Sequence, residues 1–176
     1  IMSELRTNRI VPRDGLPSGS AGGIIQVKQT VKTDTFTSSS TSYTDITGLS
    51  VSITPTRSDS KILVMIHVNL GHTNYVSGFL RLMRDSTAIS VADADGSRIV
   101  STVAMADDPS ADEINCYSAT FLDSPSTTSS TTYKVQLTTE SSGNTGEVYV
   151  NRSGQDADNV QNARTVSSIT VMEVSG

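Results

Sequence analysis

The sequence has one cysteine, no tryptophan and few charged side chains. A single cysteine, Cys116, excludes an intramolecular disulfide and any zinc site built from several cysteines. No apolar run reaches the ~18 residues of a membrane span, and the N-terminus lacks the apolar core of a signal peptide. We therefore expect neither a membrane-spanning nor an exported protein. The net charge of -5 and the absence of a Lys/Arg cluster argue against nucleic-acid binding.

Hydroxyl side chains supply much of the polar surface instead. The chain has 28 Ser and 23 Thr among 176 residues, whereas charged residues account for only 18%. Such a composition is typical of extended β proteins. The length suits one domain that buries roughly two-thirds of its unfolded surface.

One stretch of ten residues without a glycine, a proline or an acidic side chain, Lys61–Leu70, is the strongest structural signal. It reads KILVMIHVNL, with apolar residues at alternate positions from Ile62 to Leu70. Leu63 and Met65 add apolar area on the opposite face of the same segment. Alternation of this kind, rich in β-branched residues and free of glycine and proline, predicts a central β-strand.

Further alternating segments follow one another along residues 24–176, separated by turns rich in Ser, Thr, Asp and Gly. They include residues 24–32, 49–53, 78–84, 114–122, 133–138 and 166–174. About ten strands and no amphipathic helix predict an all-β fold, a β-sandwich of jelly-roll type.

Residues 1–23 have a different character. Residues 14–23, DGLPSGSAGG, predict a flexible joint, because four glycines and a proline hold no fixed geometry alone. The segment before it is too short to fold alone, so we interpret it as a short, non-globular attachment arm that docks on another surface. A frayed terminus is the competing interpretation. The candidate docking residues are Leu5, Arg6, Arg9, Ile10 and Val11.

Several segments together resemble appendage proteins of tailed bacteriophages, especially marine cyanophages. They are MSELRTNRIVPRDGLPSG, GGIIQVKQTVKTDTF, TDITGLSVSITPTRSDSKILVMIHVNLG, RLMRDSTAI, FLDSPSTTSSTTYKVQL, YVNRSG and SSITVMEVSG. The resemblance implies a tail-fibre-like or capsid-decorating (knob) structural protein. It also implies a β-sandwich head, often trimeric, that is joined to the particle by its N-terminal segment. The expected location is the virion, after synthesis in the host cytoplasm, and the expected partners are other tail or capsid proteins.

A homotrimer has a second, weaker ground in the sequence. Leu63 and Met65 lie on the back of the central strand, and Phe79 and Met83 lie opposite Leu80 and Leu82. A one-sided sheet would leave these four apolar side chains wet, so they are candidates for a subunit interface. A second sheet of the same chain could cover them equally well.

Motifs for chemistry are weak throughout. Residues 93–96, DADG, lack the bidentate glutamate of a calcium loop and are typical of an ordinary turn. His67 and His72 do not form a zinc pair, and we expect His67 to be partly buried. With no nucleophile motif, and Cys116 inside a strand, we predict no enzyme activity, no metal and no cofactor.

A receptor-recognition module is the alternative function. Such a module would grip a host-surface glycan or protein with exposed loop side chains, and aromatic rings are suited to stacking on sugars. Tyr117 and Tyr133 are expected in the core. Tyr75 and Tyr149 are the candidate receptor-facing residues.

Overall fold

Eleven β-strands make up the computed structural model of the protein, which describes residues 23–73, 75–106, 110–140 and 146–175. The strands are β1 (Ile24–Lys32), β2 (Phe36–Ser38), β3 (Thr44–Ile53), β4 (Lys61–His72), β5 (Gly78–Arg84), β6 (Thr87–Ile89), β7 (Val103–Met105), β8 (Asn115–Asp123), β9 (Thr131–Thr139), β10 (Val148–Val150) and β11 (Ser167–Val174). Within these described ranges there is no helix, and so none that could cross a membrane.

The strands form two antiparallel sheets. In sheet A the order is β1-β11-β4-β10-β2, and β8 pairs with the other side of β4. In sheet B the order is β3-β9-β5-β6, and β7 pairs with β5 next to β6. Both β11 and β10 lie along the same side of β4, at residues 61–67 and 70–72 respectively.

In sheet A, two of the strand positions are each occupied by two consecutive strands of the chain. β1 and β2 together form one edge of sheet A, and β10 and β11 together form its next position. With β6 and β7 counted as one interrupted edge, each sheet has four strand positions. Along the chain the eight positions fall in sheets A, B, A, B, B, A, B and A, which is the connection of a jelly roll. The predicted all-β sandwich of jelly-roll type is confirmed.

The core lies between the inner faces of the two sheets. β4 contributes Ile62, Val64, Ile66, Val68 and Leu70, all no more than 3% exposed. Sheet B contributes inward side chains of β3, β5 and β9, among them Leu49, Leu80, Leu82, Val135 and Leu137. The predicted central strand is therefore correct, and its longer apolar face is the one that meets the second sheet.

A buried polar cluster joins the two sheets at one edge. The carboxylate of Asp123 on β8 accepts hydrogen bonds from Arg84 Nη1 on β5, at 2.8 and 2.9 Å. It also accepts one from the hydroxyl of Tyr133 on β9, at 2.6 Å. Because Asp123 and Tyr133 are 5% and 0% exposed, each of these groups depends on the others for its polar partners.

Candidate interaction surface

The outer face of sheet A carries a row of apolar side chains that crosses all four of its strand positions. Val27 on β1 lies opposite Met172 on β11, Met172 opposite Leu63 on β4, and Leu63 opposite Leu122 on β8. Val27 and Leu122, at the two ends, are 51% and 54% exposed. Directly opposed side chains on neighbouring strands touch, so the row is one continuous apolar band.

Two further rows follow at the same alternation. Gln29, Thr170, Met65 and Thr120 form the second, and Val31, Ser168, His67 and Ser118 form the third. Together with Asn69 and Cys116 beyond them, the three rows define what we call the uncharged face. Its members are Val27, Gln29, Val31, Leu63, Met65, His67, Asn69, Cys116, Ser118, Thr120, Leu122, Ser168, Thr170 and Met172, none of them Asp, Glu, Lys or Arg.

Sheet B presents the opposite kind of outer surface. Asp45 on β3 accepts from Lys134 Nζ and Gln136 Nε2 on β9, each at 2.7 Å. Gln136 in turn accepts from Arg81 on β5, whose guanidinium lies 3.8 Å from the centre of the Tyr43 ring. Such a charged network is typical of a sheet face exposed to water. The contrast indicates that the uncharged face of sheet A is suited to contact with a partner.

A shallow depression of about 380 Å³ lies in the middle of the uncharged face. Met65 and Ile66 contribute apolar lining, while Gln29, Thr120 and Thr170 are among its polar lining residues. The side chains that surround it offer hydroxyl and amide groups, which both donate and accept hydrogen bonds. The depression is therefore suited to a neutral polar group.

Glu173 lies beneath the apolar row, on the inner side of sheet A, and is 0% exposed. Its carboxylate accepts hydrogen bonds from Thr56 N and Thr56 Oγ1, both at 2.7 Å, and from Gln26 Nε2 at 2.6 Å. Burial acts to raise the pKa of the Glu173 carboxyl, but the hydrogen bonds from Gln26 and Thr56 outweigh it, and the pKa lies below its ordinary value. The cluster ties the β3–β4 loop to β1 and β11 behind the uncharged face.

Cys116 and His67 meet at the far end of the face, with Cys116 Sγ 3.2 Å from His67 Nδ1. Asn69 Nδ2 donates to the Val166 carbonyl at 2.7 Å and also faces His67 Nε2 at 3.3 Å. Cys116 Sγ also lies 3.6 Å from Ser118 Oγ, so the thiol, the imidazole and neighbouring hydroxyl and amide groups form one neutral polar cluster at this end of the face.

The predicted subunit-interface residues do not form one surface. Leu63 and Met65 lie on the uncharged face, where Met65 is 41% exposed, whereas Phe79 and Met83 belong to the outer face of sheet B. Met83 is only 5% exposed and is already covered within its own chain. The alternative that a second sheet of the chain covers all four is also wrong for Leu63 and Met65, since sheet B packs on the other side of β4.

The two receptor-facing candidates differ in their exposure to solvent. Tyr75, in the loop between β4 and β5, is 54% exposed and has a positive φ of 58°. Tyr149 is 4% exposed, because the Arg152 guanidinium stacks 3.6 Å from its ring centre. The Tyr149 hydroxyl donates to Glu147 at 2.8 Å. Tyr149 is therefore a packed residue, which corrects the expectation that it faces outwards.

The arm residues Leu5, Arg6, Arg9, Ile10 and Val11 lie outside the described residues. The turn at residues 93–96 is closed by an ion pair from Arg98 Nη1 to Asp95 Oδ2 at 2.6 Å. Among the residues that the structure describes, no three His, Cys, Asp or Glu side chains converge as a metal site. His67 is exposed and His72 is 2% exposed, the reverse of the expected burial of His67.

Comparison with known proteins finds no matching family model and no matching curated sequence. Among solved structures, a structure of infectious bursal disease virus, Gx strain, has 15% sequence identity and a TM-score of 0.43. The VP2 subviral particle of the same virus has 13% identity and a TM-score of 0.41. This chain is covered to 97% in both cases, but spans only 43% and 46% of those two chains. The jelly-roll assignment rests on the strand pairing of this chain itself.

Proposed function

We propose that this protein is a non-enzymatic structural protein of a virion, an appendage of a tailed phage of the tail-fibre-like or capsid-decorating kind. The observation that carries the proposal is the uncharged face of sheet A. A surface that combines an apolar row with neutral hydroxyl and amide groups is suited to burial against protein, since interface cores are depleted of charge. The sequence resemblance to phage appendages supplies the kind of particle.

The N-terminal arm is the proposed attachment element. Its apolar residues, Leu5, Ile10 and Val11, precede a glycine-rich joint, and β1 begins directly after that joint at Ile24. A flexible joint of ten residues would span roughly 16–19 Å, enough to let the arm reach a neighbouring protein. We further propose a homotrimer as the assembled form, with other tail or capsid proteins as partners.

Labelled particles test this function. An antibody against the chain, imaged by electron microscopy on purified particles of the phage that encodes it, should decorate one fixed position on the virion. Replacing Ile10 by Asp should remove the label while leaving the melting temperature of the isolated protein unchanged. Particles that never carry the protein would contradict the proposal, and particles that keep the Ile10→Asp variant would remove the arm as the anchor.

A receptor-recognition role is the second candidate, and the exposure of Tyr75 at one end of the sandwich is the observation that favours it. A glycan array probed with the isolated protein should then give a signal that Tyr75→Ala abolishes. Tyr43→Phe is a suitable control, because the Tyr43 hydroxyl is engaged by donation to the Val100 carbonyl at 2.7 Å. An array without signal would contradict the receptor-recognition role, and only the structural role would remain.

A further inference from the structure

We propose that the uncharged face of sheet A is the surface through which copies of this chain bind one another. The inference deepens the proposed function, because it names the partner of the face as a second copy of the same chain. It depends on the face alone and not on where the protein sits on a particle.

Charge depletion over the whole face requires a partner that covers all of it. The apolar row from Val27 to Leu122 could be covered by a narrow segment, but the second and third rows also lack charged side chains. Polar surface that faces only water has no reason to exclude charge, as the outer face of sheet B shows with Asp45, Arg81 and Lys134. A broad, flat partner accounts for the lack of charge in the apolar row and in the two rows beside it.

A second copy matches this face in charge and in hydrogen bonding. Two copies each carry a net charge of -5, so they repel through most of their surface and can approach closely only where charge is absent. Hydroxyl groups such as those of Ser118, Thr120, Ser168 and Thr170 both donate and accept. A surface made of hydroxyl and apolar groups is therefore complementary to itself, which a surface of one charge sign is not.

The area of the face suits a weak contact between copies. Four strand positions about 4.8 Å apart and the seven residues from Leu63 to Asn69, at about 3.3 Å each, give roughly 20 by 23 Å, or about 450 Å² per copy. Two copies would bury about 900 Å² in total, the size of a weak or transient protein interface. Three copies around an axis would each share the face between two neighbours, and two copies would pair face to face.

The test is the molar mass in solution, measured by light scattering on the full chain at micromolar concentration. The wild type should have a mass of two or three times the 18.6 kDa of one chain. Leu122→Glu and Met65→Glu, at exposed positions of the face, should each reduce the mass to one chain. Ser52→Glu, at an exposed position on the outer side of sheet B, is the matched control and should leave the mass unchanged.

Cys116 provides a second readout without any added label site. It is the sole cysteine, it is exposed in the single chain, and it lies on the uncharged face three rows from the apolar row. Its rate of alkylation by a bulky maleimide should be at least tenfold slower in the wild type than in Leu122→Glu. Protection of Cys116 also distinguishes a second copy from the arm as the occupant of the face. About twelve arm residues bound along the apolar row would leave Cys116 accessible.

A monomeric wild type, an assembly that survives both glutamate variants with normal circular dichroism, or equal dissociation by Ser52→Glu would each overturn the inference. Loss of assembly in Ile10→Ser with Cys116 unprotected in the wild type would assign the face to the arm instead. A mass of two chains would support this interface and contradict the homotrimer. Assembly in solution without incorporation into particles would support the interface and contradict the virion role.

Discussion

Replacing Asp123 by Ala should destabilise the sandwich more than the loss of any other single ion pair described above. In the folded protein the Asp123 carboxylate is the shared acceptor for Arg84 on β5 and Tyr133 on β9. The substitution leaves the Tyr133 hydroxyl, in a residue 0% exposed, without an acceptor. Water can reach the Arg84 guanidinium, whose side chain is 27% exposed, so that group loses less.

The magnitude follows from these exposures. An unsatisfied buried hydroxyl costs about 1–3 kcal/mol, and a lost hydrogen bond to a charged group costs about 1.5–3 kcal/mol. We expect Asp123→Ala to lower the free energy of unfolding by about 3–5 kcal/mol, the usual cost of breaking a buried pair. Tyr133→Phe removes one charge-assisted hydrogen bond and leaves the Arg84 pair intact, so about 1.5–3 kcal/mol is expected.

Urea unfolding followed by circular dichroism measures both values. The scans need several protein concentrations, because assembly of copies would make the apparent stability depend on concentration. Asp45→Ala is the control: Asp45 pairs with Lys134 on the outer face of sheet B at side-chain exposures of 50% and 25%, and it should cost less than about 1 kcal/mol. If Asp123→Ala costs no more than Asp45→Ala, the Asp123 cluster does not hold the sheets together.

Three further outcomes are expected. Ile66→Ala should cost about 2–5 kcal/mol in urea unfolding, because Ile66 is 3% exposed on the inner face of β4; a near-neutral result would show that the site is not packed. Since the folded pKa of Glu173 lies below the unfolded value of about 4.3, its stabilisation is complete above that value and is lost as the pH falls through the folded pKa. Glu173→Gln should therefore be less stable than wild type at pH 7, with a gap that closes in acid; a gap constant with pH would refute this. Gly146→Ala should lower the melting temperature, since an added Cβ would overlap the Val76 side chain and lie 2.6 Å from Thr73 Oγ1, whereas Gly96→Ala, with no atom within 4 Å, should show only the strain of its positive φ.

Strand content could be predicted from local pattern, and most strands lie where the alternation places them. β4 begins at Lys61 and β5 spans Gly78–Arg84, both as predicted. β2 was missed, because three residues, Phe36–Ser38, are too few to show an alternation. β7, Val103–Met105, is equally short and shows no alternation of its own.

Which face of each strand meets the core could not be predicted reliably. On β1 the alternation sets Val27 and Val31 against Thr30 and Lys32, yet both valines lie outside, about half exposed, and Lys32 is 2% exposed. The inward Lys32 ammonium pairs with Asp34 at 2.8 Å. The alternation therefore identified two faces of β1 but did not show which of them meets the core.

The physical reason is that a period of two distinguishes the faces of a strand without stating which one another sheet covers. Composition and alternation determined the fold class, the central strand and the absence of the usual chemical motifs. The uncharged face depends on pairings such as Val27 with Met172 and Leu63 with Leu122, between residues far apart in the chain. Only the tertiary register brings those side chains into one row, and so only the structure decided where this protein has a surface suited to a partner.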